Sequence, residues 1–278
     1  MIQYLYLGRV DYGEALRLQS EVASLVAEGR AQNVLLLLEH PPVLTLGRNA
    51  NRANILASDE LLARRGVTIH EINRGGDVTY HGPGQLVGYP IFDLRSLHAP
   101  SGGRLGPVDF VRLMEEALIR LCGVYGVRAG RVKGLTGVWC PANGSSLDEN
   151  GGKESKICAI GIHVARGVTS HGFAFNITTR MSDFGLIIPC GIPDHPVTSL
   201  EIEMRDRAEV PDLESAAHQT ARLFGQVFGQ QVLAVESLTA LRAQPQAHGI
   251  GLPAEDTPLQ VPAEVERLMH LPERSSRA

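Results

Sequence analysis

Residues 74 to 85 combine glycines with hydrogen-bonding side chains in a pattern that suits a ligand site. The stretch reads Arg-Gly-Gly-Asp-Val-Thr-Tyr-His-Gly-Pro-Gly-Gln. Glycine has no Cβ atom, so it lets a ligand or another chain lie against the backbone, and it weakens a regular helix or strand. Val78 and Tyr80 alternate with polar neighbours, as they would in a short strand. A tight turn between two strands is the alternative, although a turn needs only one or two such residues.

Cys190 and Lys156 are the candidate groups for nucleophilic chemistry. Cys190 lies on a turn between proline and glycine that could expose its sulfur, although a packed thiol fits there too. A free thiol has a pKa of about 8.5, so a nucleophilic cysteine needs a partner that favours the thiolate. Strand alternation places Lys156 on one face with Cys158, Ile160 and Ile162, where the lysine either snorkels at a sheet edge or lies over a pocket. Cys158 is a rival nucleophile on that face.

Two histidines, His81 and His171, are candidates for metal binding or for positioning a substrate. No third ligand stands at a recognisable metal-binding spacing, and a glycine follows each histidine. The glycine-rich stretch also lacks the pattern of a phosphate-binding loop and does not lead into a helix. The sequence therefore predicts no metal site and favours a positioning or turn role for both histidines.

Composition limits the class of protein. The chain has 278 residues, with 26 basic and 30 acidic side chains and a formal charge of -4, so we expect no nucleic-acid surface. The longest aliphatic run, 34–38, is far too short for a membrane span. The first residues do not have the pattern of a signal peptide. Four widely spaced cysteines without a Cys-x-x-Cys motif predict reduced thiols and a cytoplasmic location.

Apolar periodicity and turn signals predict the elements that position these residues. Helices are predicted near 11–29, 58–65, 108–122 and 212–228. Strands are predicted near 34–38, 43–47, 67–73, 86–94, 134–139, 156–164 and 169–177, the last two joined as a hairpin at Arg166-Gly167. The pattern predicts an α/β fold of the α+β type, a mixed sheet flanked by helices, over residues 1–240. Residues 241–278 are predicted to be a tail of unknown role, with one weak helix near 263–271.

Five motifs, taken in order, resemble those of a known family. They are Arg74-Gly-Gly-Asp-Val-Thr-Tyr-His-Gly-Pro-Gly-Gln-Leu-Val, Lys156-Ile-Cys-Ala-Ile-Gly, His171-Gly-Phe-Ala-Phe-Asn, Pro189-Cys-Gly and Val197-Thr-Ser-Leu. In order and spacing they resemble the lipoyl(octanoyl) transferase family, over residues 4 to 228. The resemblance implies a fold similar to the catalytic domain of biotin and lipoate ligases.

The resemblance also implies a reaction and a set of site residues. Cys190 and Lys156 are the implied catalytic pair, and Cys158 is not the family nucleophile. The implied substrate-binding residues are Arg74, Gly75, Gly76, Asp77, Val78, Thr79, Tyr80, His81, Ala159, Ile160, Gly161, Gly172, Phe173 and Ala174. The implied reaction moves an octanoyl or lipoyl group from acyl carrier protein, through a Cys190 thioester, to a lysine of a lipoyl domain. Such domains belong to 2-oxoacid dehydrogenase E2 subunits and the glycine cleavage H protein. This is the first step of endogenous protein lipoylation and needs no cofactor beyond the carrier's phosphopantetheine; no nucleic acid or membrane partner is expected.

Two other functions and two departures from the family pattern remain. The fold would also suit an ATP-dependent lipoate-protein ligase, which the Pro-Cys-Gly loop disfavours, or a non-catalytic protein that binds acylated carriers and uses Cys190 structurally.

The loop over 141–152 is longer than the family's usual connection and is expected to change the rim near Lys156. Phe175 replaces an aliphatic residue and is expected to alter the fit of the acyl chain.

Overall fold

The computed structural model describes residues 1–99, 102–141, 154–205 and 209–242. The strands are β1 Ile2–Arg9, β2 Asn33–Glu39, β3 Val43–Leu46, β4 Thr68–Glu71, β5 Val78–His81, β6 Gln85–Ile91, β7 Gly130–Val132, β8 Leu135–Cys140, β9 Ser155–Ala165, β10 Val168–Asn176 and β11 Val232–Ala234. The helices are α1 Tyr12–Ala27, α2 Asp59–Arg64, α3 Pro107–Val124, α4 Leu200–Met204, α5 Leu213–Phe228 and α6 Leu238–Arg242.

Eight strands form one mixed sheet in the order β11-β1-β2-β6-β10-β9-β8-β7. Strand β1 runs parallel to β2 and β11, whereas β6, β10, β9 and β8 pair antiparallel with their neighbours. Alternate residues of β2 bury their side chains on opposite faces. Leu35 and Leu37 pack with α3 and α5, and Leu36 and Leu38 pack with α1. Because both faces of this sheet are covered by helices, the predicted mixed sheet flanked by helices is confirmed.

A smaller sheet of three strands, in the order β4-β3-β5, has a hydrophobic cluster of its own. Strand β5 contains the centre of the glycine-rich stretch and pairs antiparallel with β3. The predicted strand character of Val78 and Tyr80 is therefore confirmed. Both side chains lie in the cluster of the small sheet, and strand alternation turns Thr79 and His81 the other way.

Local sequence signals account for the ends of several elements. The Asp11 side chain accepts a hydrogen bond from the Glu14 backbone N–H at 3.1 Å and so caps α1, the helix predicted near 11–29. The predicted hairpin between β9 and β10 is confirmed, and it turns through Arg166 (φ 52°) and Gly167 (φ 85°). Two successive residues with positive φ are the signature of a type I′ turn, which matches the twist of the two strands. The sequence patterns did not predict the interior strand β1, the edge strands β7 and β11, or the short helices α4 and α6.

The packed region continues slightly past the predicted boundary at residue 240. Leu241 is buried in the cluster that contains α1, and Arg242 forms an ion pair with Glu21 at 2.6 Å. The predicted tail helix and the role of 243–278 lie outside the described residues, as does the predicted loop over 142–152, so these stay predictions. In the part of the chain that is described, no helix has the length and apolar character needed to cross a membrane.

Candidate active site

A cavity of about 230 Å³ contains most of the residues predicted to form the site. It lies on the face of the large sheet that is turned toward the glycine-rich stretch. The predicted residues that line it are Cys190, Lys156, Arg74, Gly75, Gly76, Asp77, Thr79, His81, Ala159, Ile160, Gly161, Gly172, Phe173 and Ala174. Cys190 and Lys156, far apart in the sequence, therefore share one chamber.

Two residues predicted to bind substrate lie away from this cavity. Val78 and Tyr80 are buried in the cluster of the small sheet, where the Tyr80 ring packs edge-on against Phe184. The Tyr80 hydroxyl donates a hydrogen bond to Asp183 at 3.0 Å. The physical reason is strand periodicity: residues 78 to 81 form β5, and a strand cannot turn consecutive side chains to the same face.

The loop that carries Cys190 holds it in an uncommon backbone conformation. Cys190 has φ 57° and ψ 17°, in the left-handed region that residues other than glycine rarely adopt. The Ile188 N–H donates to the Asn54 carbonyl at 2.7 Å, and the Asn54 side-chain amide and the Asn51 backbone N–H donate to the Asp77 carboxylate. A Cβ atom at Gly191 would lie 2.5 Å from that carboxylate, so the position requires glycine. Neighbouring elements thus fix a turn that keeps the thiol half-buried at the cavity.

The other three thiols are unsuited to nucleophilic chemistry. Cys122, Cys140 and Cys158 are all fully buried, whereas Cys190 is half-buried. Burial raises the pKa of each of the three well above the ordinary value for a thiol. Cys158 packs in the cluster with α3 and α5 and does not line the cavity. Only thiolates are effective nucleophiles, so the geometry removes Cys158 as a rival.

Lys156 reaches the cavity because β9 contains a bulge. Val138 pairs with Cys158 while Trp139 pairs with Lys156, so Ile157 is an extra residue on β9. A bulge of this kind reverses the side-chain alternation beyond it. The predicted common face of Lys156 and Cys158 is therefore wrong: Lys156 lines the cavity with Ala159 and Gly161. Its Nζ lies 4.6 Å from the centroid of the Trp139 ring.

Arg74 places a second cation at the cavity wall. Its side chain is 9% exposed, and its guanidinium donates to Thr45 O and Oγ1, each at 2.8 Å, and to Gly75 O at 3.0 Å. Burial lowers the pKa of Arg74, and charges on Tyr12 and Cys190 raise it. Among the described residues, neither Arg74 nor Lys156 lies within ion-pair distance of a carboxylate. Two buried cations beside one thiol favour negative charge in this chamber.

Small residues form the floor of the cavity. Ala159 pairs with Ala174 and Gly161 with Gly172 across β9 and β10. A Cβ atom at Gly161 would lie 2.8 Å from the carbonyl oxygen of Gly75, so the glycine lets residues 74–76 lie close to β9. Phe175 is fully buried in the cluster with α3 and α5 and does not line the cavity. Phe175 therefore makes no contact with the cavity through which it could directly alter the fit of the acyl chain.

Residues far from the motifs also form part of the site, and the sequence reasoning missed them. Tyr12, at the start of α1, and Tyr89, on β6, line the cavity beside His81. The Tyr12 and His81 rings stack at 5.9 Å. His40 donates from Nδ1 to the Val10 carbonyl at 2.7 Å, and its Nε2 accepts from the Tyr89 hydroxyl at 2.7 Å. Tyr12 is an ordinary first residue of a helix and His40 precedes two prolines, so neither position indicates from the sequence that these side chains lie together at the cavity.

The buried histidines are neutral. Burial lowers the pKa of His40 to about 4, that of His81 to about 3 and that of His171 to about 4. His81 Nδ1 lies 2.8 Å from Gln85 Oε1, and His171 Nε2 lies 2.7 Å from Asn73 Oδ1. Within the described ranges no group of three or more His, Cys, Asp or Glu side chains could hold a metal ion. These imidazoles therefore serve as uncharged hydrogen-bonding groups.

We expect the protein to lose stability in mild acid because of these three histidines. Their folded pKa values lie below the unfolded value of about 6.5, so between those values the unfolded chain binds protons that the folded chain does not. The stabilisation is complete above about pH 6.5 and declines as the pH falls, by roughly 1.4 kcal/mol per pH unit for each histidine. Urea denaturation at a series of pH values measures the decline. His40→Gln should decline less steeply than the unaltered protein, and equal slopes would contradict the assignment.

Comparisons with known proteins agree with this architecture. The family model for the lipoyl protein ligase A/B catalytic domain matches residues 11–222. A relative from Acidobacterium capsulatum, named octanoyltransferase, is 59% identical over 239 residues, covering 85% of this chain and 94% of the relative. A relative of the same name from Koribacter versatilis is 49% identical over 268 residues, covering 96% and 97% of the two chains.

The fold is similar to that of solved lipoate-protein ligases. A crystal structure of lipoate-protein ligase A bound with ATP matches with a TM-score of 0.61 and 13% identity, covering 85% of this chain and 89% of that one. The bipartite lipoate protein ligase of Thermoplasma acidophilum matches with a TM-score of 0.60 and 15% identity, covering 87% and 89%. At such identity the likeness concerns the fold alone. The family model over residues 11–222 and the relatives at 59% and 49% identity establish that this chain belongs to the lipoyl protein ligase A/B catalytic domain family.

Proposed function

We propose that the protein transfers an octanoyl group to a lysine of a lipoyl-accepting domain through a thioester on Cys190. Four relatives named octanoyltransferase, 42 to 59% identical to this chain, confirm the prediction of an octanoyl-transferring enzyme. The route through Cys190 and Lys156 is our proposal. One observation carries it: the half-buried thiol is held on a strained turn in a chamber with two buried cations.

The first step makes an acyl-enzyme. The Cys190 thiolate attacks the carbonyl carbon of the donor thioester, a bond from Sγ to the acyl carbon forms, and the bond to the donor's sulfur breaks. The positive charges of Lys156 and Arg74 favour the attacking thiolate. The Lys156 ammonium supplies the proton that the leaving thiolate takes up. The backbone N–H groups of the glycine-rich stretch are the candidates to stabilise the oxyanion.

The second step makes the amide. The amine of the acceptor lysine attacks the acyl carbon on Cys190, the Sγ bond breaks, and Lys156, now neutral, takes the proton that the amine loses. Amide formation from a thioester is downhill, so the protein needs no ATP and no cofactor of its own.

We propose acyl carrier protein as the donor, lipoyl domains of 2-oxoacid dehydrogenase E2 subunits and the glycine cleavage H protein as acceptors, and the cytoplasm as the location. Four free thiols support that compartment.

Single-turnover transfer without ATP tests this function. The protein is mixed with octanoyl-loaded acyl carrier protein, and intact mass is followed before and after a lipoyl domain is added. We expect an octanoyl adduct on the protein that hydroxylamine removes, followed by a hydroxylamine-resistant adduct on the acceptor. An adduct that appears only with ATP and free octanoate would favour a ligase. Carrier binding with neither adduct would favour a non-catalytic acyl-carrier-binding protein.

A further inference from the structure

His171 lines the main cavity but not the part of it that adjoins Cys190. A small cavity at the near end is lined by Cys190, Lys156, Ala174 and Asn176. The main cavity extends from there to His171. Ala174, which lines the small cavity with Cys190, lies three residues from His171 along β10, roughly 10 Å at the usual rise of a strand. His171 and Cys190 therefore line one cavity, and each also lines a different neighbouring pocket.

Beyond His171 lies a separate groove of about 710 Å³. Residues of α1, the end of β4 and the β9–β10 hairpin line it, and they include His163 and Asn73. His171 lines both this groove and the main cavity. Its side chain therefore forms part of the wall between the main cavity and the outer groove.

The backbone of His171 departs from regular strand geometry, and this departure places the imidazole in that wall. Regular alternation along β10 would place His171 with Phe173 and Phe175, which pack against α3 and α5. Its φ of 56° interrupts the alternation and turns the side chain to the cavity face. The imidazole Nε2–H donates to Asn73 Oδ1 at 2.7 Å, and the backbone N–H donates to Gln19 Oε1 at 2.8 Å. The residue is 4% exposed and held at two points.

We infer that His171 is the stop that sets the length of the acyl chain the cavity accepts. The inference rests on the proposed function, because it places the chain between Cys190 and His171. From the sulfur, the chain runs over the Ala159–Ala174 and Gly161–Gly172 pairs, where small side chains leave room for methylene groups. The terminal methyl meets the imidazole, which Asn73 prevents from swinging aside. A longer chain has to displace His171 to reach the outer groove.

Acyl-length profiles of His171→Gly test this role. Carrier proteins loaded with octanoyl, decanoyl, dodecanoyl or tetradecanoyl chains are the donors, and the rate of adduct formation on the protein is read by quenched intact mass. Glycine adopts a positive φ freely, so the variant should fold. We expect the rate ratio of dodecanoyl to octanoyl to rise roughly tenfold or more, since each methylene accommodated is worth at least that much discrimination in an apolar pocket. Because both rates are measured on the same variant, a lower fraction of folded protein does not change their ratio.

Two further variants separate a stop from a structural residue. His171→Asn keeps a side chain that tolerates the left-handed region but is shorter, so its ratio should rise less than that of His171→Gly. His163→Ala alters the outer groove alone and should leave the ratio unchanged. The inference would be wrong if the dodecanoyl-to-octanoyl ratio of both His171 variants equalled that of the unaltered protein. It would also be wrong if the ratio rose as much in His163→Ala as in the His171 variants. Either result would leave the proposed function intact. The absence of an adduct on the unaltered protein with every donor would overturn both.

Discussion

Cys190→Ser is expected to form no acyl adduct and to lower octanoyl transfer by roughly four orders of magnitude or more, as removal of a catalytic nucleophile does. A serine hydroxyl stays protonated near neutrality, and the two nearby cations favour an anion without removing a proton from an alcohol. The left-handed turn at residues 189–191 and its contacts with Asn54 and Asp77 do not depend on the sulfur, so the variant should fold. Intact mass after mixing with octanoyl carrier measures the adduct, and acceptor modification measures transfer.

Cys158→Ser is the matched control for this change. It makes the same substitution two residues beyond Lys156, at a thiol that is fully buried in the cluster with α3 and α5. The new hydroxyl lies among apolar side chains, so we expect lower stability but an undiminished adduct on the folded fraction. The proposal would be contradicted if Cys190→Ser formed the full adduct, or if the adduct were lost only in folded Cys158→Ser. Either result would identify Cys158 as the nucleophile.

Sequence patterns were sufficient for elements whose local signals agree with their packing. Asp11 and Glu14 predict the start of α1, and the positive φ values at Arg166 and Gly167 occur where the hairpin was expected. In both cases the residues that fix the conformation are neighbours in the chain. Strand β1 lacks such signals, because its pairing with β2 and β11 brings together the two ends of the described domain. Order within the sheet depends on such long-range contacts and cannot be predicted from periodicity.

The resemblance and strand periodicity give different predictions for the glycine-rich stretch. The resemblance assigns all of residues 74 to 81 to the substrate. Strand alternation allows only Thr79 and His81 among the last four residues to line the cavity, and the structure has this arrangement. Arg74 to Asp77 are not in a strand, so consecutive residues there can all reach the chamber. Family motifs mark which segments matter, and backbone conformation decides which side chains face the site.

Two backbone irregularities explain most of what periodicity could not predict about the site. A regular β9 would turn Lys156 toward α3 and α5, and a regular β10 would do the same with His171. The extra residue Ile157 and the positive φ of His171 reverse both. Neither has a signal in the sequence, because a bulge is visible only when the partner strand is known. Both irregularities bring a polar side chain to the cavity, where a regular sheet would have presented neither.

The bulge places Lys156 beside the chamber, and its two possible roles can be measured separately. Lys156→Met removes the charge and keeps the length of the side chain. Without the positive charge of Lys156 the Cys190 thiolate loses one of its two cationic neighbours. We therefore expect the pH profile of iodoacetamide alkylation at Cys190 to move to higher pH, and the rate of octanoyl transfer to fall roughly 10²- to 10⁴-fold. Alkylation followed by mass spectrometry gives the profile, with Cys190→Ser as the blank.

Lys156→Arg then distinguishes charge from proton transfer. Arginine keeps the positive charge near the sulfur and over the Trp139 ring, but its pKa is too high for it to accept a proton from the incoming amine. Alkylation of Cys190 should therefore approach that of the unaltered protein. Formation of the acyl-enzyme should recover more than aminolysis, because the carrier's thiolate can leave and take its proton from water, whereas the acceptor amine must lose a proton that arginine does not accept. The acyl-enzyme should accumulate, visible as a persistent octanoyl adduct in the presence of lipoyl domain. Equal restoration of both steps by arginine would limit Lys156 to an electrostatic role, because a permanent cation would then do everything the lysine does.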